Sequence, residues 1–286
     1  ARGKIKKFVV LLHGAPDRLT PKYFRSAGSW WNWHIKYLAK YFVDKFLAVS
    51  QTAVNQIHDY YGIAPEKIAY FYIACHEYFK PLTEAEKEAK RQILAERYQL
   101  KYPYILQVGR FDPHKNVHRL IEAYASILAQ DKIPHYLVLV GGRHLKKYSG
   151  LLDGLIEKYQ LSAKIIITND ISAEDMPAVY SLADLAVSVS LNEGFGLPLV
   201  EAMKMGAPQV LANTPVYNEV AGEAAYFVNP LNQSEIALGL KKVLNNADLR
   251  AKLAEAGFAR ARFFRWDNAA QKLMAIFKDL LKNETN

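Results

Sequence analysis

Cysteine is nearly absent: the 286-residue chain holds one, Cys75, which excludes an intrachain disulfide. No apolar run approaches the roughly 20 residues that cross a bilayer, and no secretory leader opens the sequence. Together these absences predict a cytosolic protein, with Cys75 a plain core or loop residue. Internal repeats and low-complexity tracts are also missing, so a repeat array is not expected. The chain carries no initiator Met.

What is present suits two packed domains, since about half of the residues are apolar. The net charge of +9 is unevenly placed. Residues 1–50 hold ten Lys/Arg against Asp17 and Asp44, a balance of +8. Such a basic start suits a polyanionic partner: an anionic lipid surface, a phosphorylated acceptor or nucleic acid. A solvated face with no partner fits equally. Strand-like runs alternate with helical ones throughout, which predicts an α/β fold with parallel sheets. Strands are expected at 8–12, 46–49 and 68–72, then at 104–108, 136–140, 164–167, 185–189, 209–212 and 225–227. Pro81 closes a linker, giving an N-terminal domain over 1–82, a more complete second domain over 83–262 and a final helical segment over 263–286.

A helix is expected over 30–44, with two faces. Trp31, Ile35, Leu38 and Phe42 follow helical spacing and are expected in the core. Trp33, Tyr37 and Tyr41 form a second stripe beside Lys36 and Lys40. Rings interleaved with lysines suit a membrane interface, a protein partner or ordinary core.

The chain is organised around residues 188–206, S-V-S-L-N-E-G-F-G-L-P-L-V-E-A-M-K-M-G. A short apolar strand runs into a loop with Gly194 and Gly196, and a helix starts near Leu197 with Pro198 in its first turn. Glycines at a strand-to-helix turn let the backbone approach a ligand, and the helix start behind them presents unpaired N–H groups. That is an anion site by construction. Glu193 and Glu201 bracket it, and Glu201 lies too deep in the helix to cap it.

The E-x7-E spacing of Glu193 and Glu201, with G-F-G-L-P between them, resembles the signature of retaining GT-B glycosyltransferases of family four, or glycosyltransferase group 1. The resemblance implies two Rossmann-like parallel-sheet domains facing across a cleft, the final helix crossing back to the first. Family members open with about three further βα units before the strand that ends in His, whereas this sequence starts almost at that strand. The first domain is therefore expected to be incomplete. The chain would be a fragment of a longer protein, or a shortened form whose missing strands come from a partner chain or oligomer.

The stretch Gly109-Arg110-Phe111-Asp112-Pro113-His114-Lys115-Asn116 follows a strand and opens a helix, and it resembles the family's diphosphate clamp. Arg110 offers a planar fork and Lys115 a point charge. With the backbone amides of Phe195, Gly196 and Leu197 they would stabilise a departing nucleoside diphosphate. By resemblance, Glu193 contacts hydroxyls of the donor sugar and Glu201 accepts from both ribose hydroxyls. His13, where the family has a His that touches the donor sugar, completes the catalytic candidates Glu193, Arg110, Lys115 and His13. Gly14 follows it in place of the usual Asp. The donor-binding candidates are Glu201, Gly109, Gly194, Phe195, Gly196, Leu197, Arg143, Asp170, Ile171 and Asn213. For Arg143 in V-G-G-R a tight turn serves as well, and Asp170 or Ser172 could simply cap a helix.

No Asp-x-Asp pair occurs anywhere in the sequence. Metal-independent leaving-group stabilisation is therefore expected, with no cofactor and a GDP- or UDP-linked sugar as donor. The resulting expectation is a retaining hexosyltransferase, moving a mannose- or glucose-type sugar to a glycan or lipid-linked acceptor in polysaccharide biosynthesis. It would work in the cytoplasm, peripheral to an anionic membrane surface contacted through residues 1–45. The alternative is a non-catalytic, partner-dependent nucleotide-sugar-binding subunit. Nucleic acid is a poorer partner, because no recognition motif accompanies the charge.

Overall fold

A computed structural model describes residues 7–14, 38–131, 133–142, 145–169 and 171–282. Their contacts divide the chain into two units. The first comprises the described residues up to Ala74, the loop Asn192–Gly196 and the described residues from Phe263 on. The second comprises Cys75–Leu191 and Leu197–Arg262. Where the sequence reading divides the chain at residue 82, the contacts divide it after Ala74, and they group a five-residue loop with the first unit.

In the first unit three parallel strands, β1 (Val9–Leu12), β2 (Lys45–Ala48) and β3 (Ile68–Tyr70), lie side by side in chain order among the described residues. Helix α1 (Gln51–Tyr61) joins β2 to β3. Ser50 starts it, accepting from the Ala53 amide, and Gly62 stops it in the left-handed conformation at φ +63°. Helix α10 (Trp266–Lys282) lays Ala269 against Leu47 and Phe71, with Leu273 and Ile276 alongside.

In the second unit six parallel strands run β6-β5-β4-β7-β8-β9. They are β4 (Tyr104–Val108), β5 (Tyr136–Val140), β6 (Ile165–Thr168), β7 (Leu185–Ser188), β8 (Gln209–Ala212) and β9 (Tyr226–Val228). The order is that of a doubly wound sheet, built outward from β4 in one direction and then from β7 in the other. Around it lie α2 (Glu84–Tyr98), α3 (Val117–Asp131), α4 (Lys146–Lys158), α5 (Met176–Ser181), α6 (Leu197–Lys204), α7 (Pro215–Ala221), α8 (Gln233–Leu244) and α9 (Ala247–Ala261). The strands read as near-continuous apolar runs because helices cover both faces. Val117, Leu120, Ile121 and Tyr124 give α3 one buried stripe, packed with Leu137, Leu139, Ile236 and Leu240 into the main core.

One expectation fails here. Leu38 and Phe42, expected in the core, are 52% and 76% exposed. Residues 38–42 are indeed helical, but helical spacing says which residues share a face, not that anything covers it. Trp31, Trp33, Ile35, Lys36 and Tyr37 lie outside the described residues. Ser172 caps the turn that leads into α5: its Oγ accepts from the Asp175 amide at 3.3 Å and donates to the Asp175 carboxylate at 3.1 Å, and α5 itself starts at Met176. Asp170 lies outside the described residues.

Candidate functional site

The second sheet opens where its winding reverses. Pairing of β4 with β5 runs to Val108 beside Val140, but pairing of β4 with β7 ends at Leu106 beside Ala186. Beyond that point the carboxyl ends of β4 and β7 part, which is where open α/β sheets receive ligands. Side-chain and loop bonds replace the lost ladder. Asn116 Nδ2 donates to the carbonyls of Val189 (3.1 Å) and Pro230 (2.7 Å), and the Leu191 amide donates to the His114 carbonyl (2.7 Å). Asn116 is fully buried and sits at φ +60°, a conformation asparagine tolerates better than most residues.

The expected clamp directly follows the carboxyl end of β4. Gly109 leaves β4 at φ +136°, where its missing Cβ admits the Lys115 ammonium to 3.5 Å from the vacant position and the Gln107 amide nitrogen to 3.8 Å. Gln107 is buried, and its Oε1 has no hydrogen-bond partner among the described residues. Arg110 is 68% exposed and pairs with Asp112 at 3.0 Å. Phe111 anchors the loop in the core. Gly141 must be glycine: a Cβ there would overlap the carbonyl of Gly109, because the loops after β4 and β5 run backbone against backbone. Arg143 lies outside the described residues.

Glu201 projects from α6, which starts at Leu197. Tyr180 donates its hydroxyl to Glu201 Oε2 at 2.7 Å. Burial pushes the Glu201 carboxyl above its ordinary range, and the Tyr180 hydrogen bond acts the other way. Cys75 is buried nearby. Burial raises its thiol, Lys204 opposes that and Glu201 adds to it. Cys75 is thus a buried residue, as the sequence suggests, with Lys204 and Glu201 as its charged neighbours. Ile171 is half-buried in the loop after β6. That loop is tied to α2 through Asp175, which receives Lys90 (2.8 Å), Arg97 (2.7 Å), Tyr98 (2.9 Å) and Ser172 (3.1 Å). Burial alone would raise the Asp175 carboxyl, but the bonds from Lys90, Tyr98 and Ser172 and the Lys90 charge bring it down to about 2. Asn213 is exposed after β8 and accepts from Asn218 at 2.8 Å.

The loop Asn192–Gly196 groups with the first unit. A Cβ on Gly194 would overlap the carbonyl of His13, at the end of β1, so only glycine fits there. Ser50 Oγ donates to the Gly194 carbonyl at 2.6 Å, and Gln56 Nε2 to Asn192 Oδ1 at 2.9 Å and to the Glu193 carbonyl at 3.2 Å. The Phe195 ring lies 6.1 Å from that of Tyr72 and 5.6 Å from that of Phe264. Gly196 follows at φ +90°. His13 is exposed and Glu193 half-buried. Asn116 closes the clamp stretch quoted from the sequence, whereas Gln56 and Tyr180 carry no assignment from it. Ser50 is legible only as a helix cap, and no motif flags Gln56 or Tyr180.

Residues 87–260, more than half of the chain, match the family model for glycosyl transferases group 1. The chain belongs to that family. It is 30% identical over 241 residues to the serotype-specific mannosyltransferase WbdA of Escherichia coli, covering 84% of this chain and 29% of that protein. It is 28% identical over 233 residues to O-antigen chain mannosyltransferase B of the same species, covering 81% of this chain and 60% of that protein. The chain thus spans between about three-tenths and six-tenths of these curated relatives. Among solved structures it resembles Anabaena HepE in complex with UDP and glucose, with a TM-score of 0.79 at 22% identity, covering 95% of this chain and 71% of that one. It also resembles sucrose-phosphate synthase from Thermosynechococcus elongatus, with a TM-score of 0.77 at 20% identity over 97% and 68% of the two chains. The α/β, GT-B type fold expected from the sequence is therefore the fold of this group 1 member. Among its described residues no helix is long and apolar enough to cross a membrane.

Proposed function

We propose that this group 1 chain carries a retaining, metal-independent hexosyltransferase site, which moves a mannose- or glucose-type sugar from a GDP- or UDP-linked donor to a glycan or lipid-linked acceptor. The observation that carries the reading is the parting of β4 and β7, followed by Gly109, Arg110, Lys115 and the start of α6. A relative named as a mannosyltransferase and a similar structure solved with UDP and glucose support the donor class.

Arg110 and Lys115 meet the diphosphate. The Arg110 guanidinium is exposed while its partner Asp112 is buried, so the remaining N–H groups of the fork meet a diphosphate without breaking that pair. Each preorganised donor aimed at the departing phosphate lowers the barrier by about 3 kcal/mol. The amides of Phe195, Gly196 and Leu197 share that load. Glu201, steadied by Tyr180, accepts from the ribose diol, because two carboxylate oxygens match two adjacent hydroxyls. Gly194, Ile171 and Asn213 serve the nucleoside and sugar-phosphate side, and Asp170 and Arg143, outside the described residues, are assigned there from the resemblance alone. Glu193 and His13 serve the donor sugar. Following the resemblance to retaining members, the acceptor oxygen bonds to the anomeric carbon on the face from which the diphosphate leaves, and the acceptor proton passes to a departing phosphate oxygen. Glu193 is thus no nucleophile. Metal independence rests on the missing Asp-x-Asp pair. A lipid-linked acceptor would bring the basic residues 1–45 to an anionic surface.

The test is transfer from GDP-mannose and UDP-glucose to lipid-linked glycan acceptors, with and without EDTA. The expected product keeps the donor's anomeric configuration, ignores EDTA and forms about 100-fold more slowly with Lys115→Ala. Inversion, or loss of transfer with EDTA, contradicts the mechanism. Donor binding with neither transfer nor hydrolysis favours the non-catalytic subunit.

A further inference from the structure

Gln56 belongs to none of the motifs, yet its side chain grips the loop that carries Glu193. One amide nitrogen, Nε2, donates to Asn192 Oδ1 at 2.9 Å and to the Glu193 carbonyl at 3.2 Å. The next carbonyl along, that of Gly194, accepts from Ser50 Oγ at 2.6 Å, and the same hydroxyl oxygen caps α1. Two successive carbonyls are therefore held by side chains of one helix, Ser50 at its N-cap and Gln56 at its middle, which fixes the peptide leaving Glu193 and hence the direction of its Cα–Cβ bond. Gly14 makes room for the grip. It sits at φ +114°, and the position a Cβ would take is 2.6 Å from Gln56 Oε1.

The pairing is chemically selective. Gln56 faces two acceptors, so a carboxylate there would meet them with repulsion and an apolar side chain would leave both without that donor. Asn192 is 6% exposed, and its Nδ2 has no hydrogen-bond partner among the described residues. Among the described residues this carboxamide is satisfied through Oδ1 alone, beside the loop's glutamate.

We propose that Gln56 is a positioning residue for Glu193, acting through the Glu193 main chain and Asn192. The inference rests on the reading of Glu193 as the carboxylate at the donor sugar. A group that works on a reacting sugar must be held close to its productive geometry, and displacement by about 1 Å costs up to about 100-fold in rate.

The test is a double-mutant cycle on the full chain. Gln56→Met keeps the bulk of the side chain, and Gln56→Glu keeps its size and polarity. Each is measured alone and on a Glu193→Ala background. In the native background kcat should fall about 10- to 100-fold, with donor KM and free GDP or UDP affinity unchanged and the chain still folded. On the Glu193→Ala background the same change should cost nothing further. Equal losses in both backgrounds, or an unchanged kcat, overturn the proposal. Should Gln56→Met fail to fold, Gln56→Glu and Asn192→Ala carry the cycle. If the unaltered chain binds a nucleotide sugar without turnover, the cycle is read on the ratio of sugar-nucleotide to nucleoside-diphosphate affinity, with the same criterion. If it binds neither, the donor-site reading itself fails, an outcome distinct from an additive cycle.

Discussion

Asn116 bonds the ends of two other strands from one carboxamide, in a backbone conformation that few residues adopt without strain. Its side-chain oxygen also accepts from Arg119 at 2.7 Å. The sequence shows Asn116 only as the last letter of a basic loop, because Val189 and Pro230 are distant in the chain and are met through main-chain carbonyls that carry no residue signature. Glu193 and Glu201 were legible, since their spacing and the glycines between them survive as local text. Tyr180 was not: it stands in a short apolar helix and reads as core. At this scale Glu201→Ala should weaken free GDP or UDP binding about 10- to 100-fold, because hydrogen bonds to a charged acceptor contribute about 1.5–3 kcal/mol. Calorimetry on the purified variant checks it, and unchanged affinity would remove the ribose assignment.

The strands of the second sheet were read to within a residue or two, because parallel strands covered on both faces are plain apolar runs. Helix starts were harder. The expected start of α5 near Ala173 moves to Met176: Ser172 caps a turn ahead of the helix, its hydroxyl accepting from the Asp175 amide and donating to the Asp175 carboxylate, which also receives Lys90, Arg97 and Tyr98 from α2. That network has a pH signature. Asp175 falls from an ordinary 3.8 to about 2 in the folded chain, so its contribution is complete above about pH 4 and is lost as pH drops toward 2. The shift corresponds to about 2 kcal/mol. Asp175→Asn should lower stability by at least that amount at pH 7 in urea titrations, and the gap from the native chain should close as pH falls toward 2. A constant gap would contradict the network's electrostatic role.

At the scale of the molecule, composition foretold two parallel-sheet units, and motif spacing foretold the family. The assignment of Asn192–Gly196 to the first unit was hidden. The loop is contiguous in sequence with β7 and α6, yet Ser50, Gln56 and the His13 carbonyl meet it through glycine contacts and backbone bonds. The exposure of Leu38 and Phe42 was hidden for a different reason, since periodicity cannot report what lies opposite a face. The central claim is that the parting of β4 and β7 binds a nucleoside diphosphate. Titrating the native chain with GDP and with UDP in a calorimeter, in EDTA, tests it most directly. The account predicts one-to-one binding of at least one of them, undiminished by EDTA and weakened by Arg110→Ala and Lys115→Ala. Binding of neither, or binding indifferent to both substitutions, would contradict it.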